Sequence, residues 1–243
     1  MALALLTRLP AWRIDAGGKD AALARALWAY PLVGALVGGI SGASYMGAIF
    51  VGLPLALAAL VALSVSVLVT GCFHEDGLAD FCDGIGGGRD RARKLEIMRD
   101  SRIGTYGATA LILSFLMRTT ALMTLQKPLL VLIVLIAAGM IGRACIAIPL
   151  VMLKPARMDG MGSAASSPPW PAIAAALLFG IGAALLLGEK GMFLLASAMV
   201  AAMIITLIAR RYLGGYTGDV LGASALSAEV AALLFACSRW GFS

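Results

Sequence analysis

Asp76, Asp80 and Asp83 stand four and three residues apart. At about 100° per residue, a helix puts Asp80 ~40° and Asp83 ~20° to either side of Asp76, so all three carboxylates share one narrow face. Like charges on one helix face repel, by a few tenths of a kcal/mol per pair in an isolated helix. A hard cation relieves that repulsion. Mg²⁺ prefers oxygen ligands and is commonly held by a few carboxylates together with substrate phosphates. Glu75 points ~100° away from the stripe and is a weaker metal candidate. The bland alternative is a solvated helix end whose acids favour the helix dipole. His74 is the only histidine, so a multi-His centre is excluded. Its imidazole is a candidate general base near neutral pH, a group that orients another side chain, or a phosphate donor.

Downstream, Gly86–Gly88 precedes Arg89, Arg91, Arg93 and Lys94. Such a glycine turn with basic side chains suits either a phosphate cradle or a hinge followed by a positive anchor at a membrane face. Arg99, Asp100, Ser101 and Arg102 bring two guanidinium groups and an acid against the next apolar stretch, a set fitted to an anionic substrate bridged to a metal. Arg118 and Arg143 lie inside apolar stretches, where an ionisable group is read as functional by default. A buried partner such as Glu229, or snorkelling, would also account for Arg118. Asp219 follows Thr217-Gly218 at a helix start, which suits capping as well as a metal or substrate contact.

Elements of an unusual kind must position these groups. Of 243 residues, 61% are hydrophobic and 13% charged, with 29 glycines and a mean hydropathy of +0.95. A soluble domain is about 25% charged, so a soluble enzyme, a disordered chain and a disulfide scaffold are all disfavoured. The cysteines, Cys72, Cys82, Cys145 and Cys237, have no CxxC spacing and support neither zinc nor disulfides. Apolar runs of membrane length cover Trp28–Val51, Leu53–Cys72, Tyr106–Leu125, Leu129–Leu153, Trp170–Leu187 and Met192–Ala209. A seventh and weakest run, Leu221–Cys237, contains Glu229. With the N-terminus inside, fourteen Lys and Arg fall on the inner side, among them Arg8, Arg13, Lys19 and Arg25. Only Lys127, Lys190 and Arg239 fall outside. Positive loops stay cytoplasmic, so the acidic stripe within the inner segment 71–107 is expected at the cytoplasmic face. The net charge of +6 then reports an anionic leaflet, not nucleic acid. The expected fold is all-α: one domain over 1–243, a polytopic membrane helical bundle of six to seven transmembrane helices.

These residues resemble one family. His74-x-Asp76-Gly77-Leu78-Ala79-Asp80-x-x-Asp83-Gly84, followed by Leu95-Glu96-Ile97-Met98-Arg99-Asp100-Ser101-Arg102-x-Gly104-Thr105, is similar to adenosylcobinamide-GDP ribazoletransferase, the cobalamin (5′-phosphate) synthase family. The opening Leu6-Thr7-Arg8-Leu9-Pro10, Arg143, Ala156-Arg157-x-x-Gly160-Met161-Gly162 and Gly214-Gly215-x-Thr217-Gly218-Asp219-x-Leu221-Gly222-Ala223, with Glu229 beyond, extend the likeness over nearly the whole chain. Glu75 stands where the family is often apolar, and the glycine stretch after Gly84 varies, which bears on the phosphate contacts.

The resemblance implies a Mg²⁺-dependent transferase of the bacterial inner membrane. It would join adenosylcobinamide-GDP to α-ribazole or its 5′-phosphate and release GMP. Asp76, Asp80 and Asp83 would hold the metal, with Asp100 as ligand or base. Arg99, Ser101, Arg102, Arg143 and Arg157 would meet substrate, joined by Thr217 and Asp219. The proton acceptor stays open among Asp80, Asp83, His74 and Asp100. Partners are the small-molecule substrates and membrane lipid, with a homo-oligomer compatible. Two alternatives compete. A CDP-alcohol phosphatidyltransferase-like enzyme needs Asp-x-x-Asp-Gly-x-x-Ala-Arg, which breaks after Gly84. A cation-coupled transporter needs acids within its spans, not gathered in one segment.

Overall fold

The computed structural model describes residues 1–10, 24–157, 168–238 and 240–242. Arg13, Lys19, Gly160, Met161, Gly162 and Arg239 lie outside the described residues. Among those described, the elements are α1 (Ala2–Leu6), a 3₁₀ turn (Ala26–Ala29), α2 (Tyr30–Phe50), α3 (Leu55–Thr70), α4 (Phe73–Gly87) and α5 (Arg91–Ile97), then α6 (Thr105–Leu125), α7 (Pro128–Ala144), α8 (Ala147–Met152), α9 (Trp170–Leu186), α10 (Gly188–Leu213) and α11 (Gly218–Ala236). Five stretches are long and apolar enough to cross a membrane: Ala26–Phe50, Thr105–Leu125, Pro128–Met152, Gly188–Leu213 and Gly218–Ala236. A sixth arises if α3 and α4 count as one bent span.

The run that looked weakest in sequence is therefore a full helix, and two that looked secure are short. α3 has 16 residues and α9 has 17, against about 20 for a span. α11 succeeds because Glu229 does not stand alone: its carboxylate is paired with Arg143 of α7. The outer surface is apolar along the bundle, with Ile112, Leu116, Leu178, Val200 and Ile204 exposed, as lipid-facing helices require.

α11 is the hub, packing on α4, α6, α7 and α10, while α2 packs along α7. Tyr45, Leu122, Val131, Leu194 and Leu233 anchor one core cluster. Leu27, Phe81, Met98, Tyr216 and Leu226 anchor a second, beside the acidic stripe.

The segment 71–107 is mostly helical. Gly71 and Cys72, at φ 62° and 60°, both lie in the left-handed region and turn the chain by 87° between α3 and α4. Glycine enters that region without penalty. An added Cβ there would also lie 2.4 Å from Nε of Arg8. α4 carries His74, Glu75, Asp76, Asp80 and Asp83 within 15 residues, and its acidic face lies at the end of the bundle, beside the starts of α6 and α11. It meets α11 where both are glycine: a Cβ on Gly77 would stand 3.1 Å from the Asp219 carbonyl, and one on Gly222 would stand 3.5 Å from Gly77 Cα. Small residues let two backbones touch, and this crossing sets the start of α11 beside the acidic face of α4.

Candidate active site

The acidic stripe forms, and it is joined by a carboxylate from elsewhere in the chain. Burial pushes the Asp80 carboxyl up to about 7, helped by the neighbouring charges of Asp76, Asp219 and Asp83 and opposed by Arg157. Asp76 and Asp219 repel each other as well. Thr217 caps α11, its hydroxyl accepting from the Val220 N–H at 3.3 Å. The same hydroxyl donates to Asp219 Oδ2 at 3.1 Å, and Arg157 Nη2 approaches that oxygen at 3.5 Å. Capping therefore falls to Thr217, and Asp219 is left facing the stripe.

Asp83 has a task that sequence reasoning missed. It is buried, and its two oxygens accept the backbone N–H groups of Gly104 (2.7 Å) and Gly107 (2.8 Å). These are orphan donors at the start of α6, whose N-cap Gly104 has no side chain of its own. Asp83→Ala leaves both unpaired and lowers stability by about 1–3 kcal/mol. A fall in the thermal midpoint of the solubilised protein reads it, and an unchanged midpoint would contradict the capping role.

Beyond Asp83 opens a cleft of about 490 Å³ walled by Asp100, Arg102, Ile103, Thr105 and Tyr106. Arg102 donates through Nε and Nη2 to the Asp100 carboxylate, the shortest contact being 2.6 Å. These bonds, with the Arg102 backbone N–H, hold Asp100 down at about 2, so Asp100 is a poor proton acceptor. Arg99 and Ser101 are exposed on the same connection.

His74 and Arg143 lie elsewhere. His74 sits ~200° round the helix from Asp76 and is 2% exposed. Both of its ring nitrogens are buried without a hydrogen-bond partner. Arg143 is buried against Glu229. Arg118 pairs with Glu75, Nη1 to Oε1 at 3.0 Å, so Glu229, the partner considered for it from sequence, is taken by Arg143. The structure thus brings together Asp76, Asp80, Asp219, Thr217 and Arg157, with Asp83, Asp100 and Arg102 at the far end of the stripe. His74 and Arg143 are set in the bundle behind it.

The donor set is hard oxygen in negative excess, which fits Mg²⁺ and not a soft metal. Among the described residues no three of His, Cys, Asp or Glu are grouped closely enough to hold a metal ion by themselves.

The model of the Cobalamin-5-phosphate synthase family matches residues 1–237. A protein of Bradyrhizobium diazoefficiens named adenosylcobinamide-GDP ribazoletransferase is 46% identical over 221 residues, covering 90% of this chain and 85% of its own. Proteins of the same name from Mesorhizobium japonicum (41% identical; 97% and 91% covered) and Rhizobium etli (42%; 96% and 93%) are similar over almost their full lengths. No solved structure matches.

Proposed function

The chain belongs to the Cobalamin-5-phosphate synthase family and is a transferase of the adenosylcobinamide-GDP ribazoletransferase kind; on that premise we propose that it joins adenosylcobinamide-GDP to α-ribazole or its 5′-phosphate at the acidic stripe, with Mg²⁺. The observation that carries this reading is the convergence of Asp76, Asp80 and Asp219, from two helices crossing at glycine, with Arg157 beside them.

A ribazole hydroxyl oxygen forms a bond to the phosphorus nearest cobinamide. The bond from that phosphorus to the bridging oxygen breaks, and GMP leaves with the electron pair. Asp76 and Asp219 are the groups that would hold Mg²⁺. When bound, the ion neutralises charge on the diphosphate. Asp80 accepts the hydroxyl proton, because Asp100 is too acidic and His74 points away from the stripe. Arg157 at one end and Arg102 at the other hold phosphate oxygens. The cleft beside Tyr106 has room for a nucleoside. The site faces the cytoplasm in this reading, as the basic segments argue.

Detergent-solubilised protein given adenosylcobinamide-GDP, α-ribazole and Mg²⁺ is expected to release GMP and form a cobalamin product, and to stop when EDTA is added. Turnover of a CDP-alcohol instead, or none in folded protein, overturns the proposal.

A further inference from the structure

Arg91 looked in sequence like one more basic anchor, yet its guanidinium is committed to two backbone carbonyls far apart in the chain. Nε donates to the carbonyl of Leu213 at 2.7 Å and Nη2 to that of Ala156 at 3.0 Å. Leu213 ends α10, where carbonyls lack helical partners and a cation is favoured. The next residue, Gly214, is left-handed at φ 68°, and the guanidinium lies over it, 3.4 Å from where a Cβ would stand.

The two carbonyls belong to segments already laced together. Tyr216 N–H donates to Lys154 O at 3.0 Å, and Ala156 N–H to Tyr216 O at 2.8 Å, a parallel bridge. Arg157 follows directly on one side, and Thr217 and Asp219 on the other. One turn further along α5, Lys94 Nζ donates to Ile85 O and Gly88 O, both at 2.6 Å. α5 thus grips the C-terminal ends of α4 and α10 with side chains one turn apart; α4 carries Asp80, and α10 leads through the bridged segment into α11, which carries Asp219.

We infer that Arg91 is a positioning residue for the reaction: by bridging Leu213 and Ala156 it fixes where Arg157 stands relative to Asp219 and the substrate phosphates. This rests on the reading that Arg157 meets phosphate. A misplacement of about 1 Å costs up to 10²-fold, so Arg91→Ala is expected to lower kcat/KM for adenosylcobinamide-GDP by about 10- to 10²-fold, mainly through KM. The distinguishing readout is a double-mutant cycle. If Arg91 acts through Arg157, the Arg91→Ala/Arg157→Ala double variant is no worse than Arg157→Ala alone. A lysine reaches one carbonyl but not both, so Arg91→Lys restores only part of the loss. Should Arg91→Ala lower the thermal midpoint, Arg91→Lys is carried through the same cycle. Independent, multiplying losses overturn the inference, as does an Arg91→Ala protein with wild-type KM. No turnover in the wild-type chain would instead overturn the reading beneath it.

Discussion

Asp80→Asn is expected to cut GMP release at saturating substrate and Mg²⁺ by about 10²- to 10⁴-fold, the usual worth of a positioned base, while raising the thermal midpoint of the metal-free protein. Both effects have one origin. Asp80 is pushed up to about 7 by burial and by three neighbouring carboxylates, so the ionised form strains the folded state. Removing the charge removes the strain and the chemistry together. The pH dependence follows. An unfolded aspartate titrates near ~3.9. Below that value both states hold the proton and the stabilisation from the raised carboxyl is fully present. It is lost as pH rises through about 7, because the folded state releases its proton last. In EDTA, the wild-type midpoint should therefore fall between about pH 4 and 7, and Asp80→Asn should show less of that fall. Asp76→Asn should behave differently, raising the Mg²⁺ concentration needed for half-maximal rate, with a smaller loss at saturation. An Asp80→Asn enzyme with wild-type kcat would remove Asp80 from the proton-transfer role.

The stripe was legible in sequence because helical period and like charge are local properties. Asp76, Asp80 and Asp83 needed only a helix, and the helix formed. What the spacing hid was the unequal fate of the three. Asp83 is spent on the N–H groups of Gly104 and Gly107, 21 and 24 residues on, a demand created by the start of α6. Asp219 replaces it in the cluster because Gly77 and Gly222 let α4 and α11 touch. The signal for that contact was present as Asp76-Gly77 and Asp219-x-x-Gly222, but only a three-dimensional crossing connects them. Arg91 was hidden for a similar reason: a carbonyl carries no residue identity, so nothing in the sequence marks Leu213 and Ala156 as its partners.

The spans were read from hydropathy, which treats every charge as a cost. That underrated Leu221–Cys237, where Glu229 is neutralised by Arg143, and overrated Leu53–Cys72, where the chain bends by 87° at Gly71 and Cys72. Counting the membrane-embedded arginines against the remaining acids would have exposed a need for two pairs. It would not have told which acid goes with which arginine.

Those pairs carry the second large expectation, on stability. Arg118 is 1% exposed and joins α6 to α4 through Glu75, with its guanidinium 4.8 Å from the Phe115 ring centre. Removing one member of a buried pair strands the other charge, at a cost of about 3–5 kcal/mol. Arg118→Met alone should thus bring the chain close to unfolding, because whole-domain stabilities are only about 5–15 kcal/mol. Replacing both members with apolar groups of similar size strands nothing, and such exchanges are often neutral or stabilising. Arg118→Met with Glu75→Leu should therefore recover most of the thermal midpoint and the folded yield by size exclusion. GMP release discriminates further. Glu75 lies off the stripe, so if the pair only holds α4 against α6, the recovered double variant should turn over within a few-fold of wild type. A double variant as unstable as the single one would show that Arg118 is needed for more than Glu75, the Phe115 ring it lies over being its other side-chain contact. A stable but inactive one would place the pair in the reaction itself.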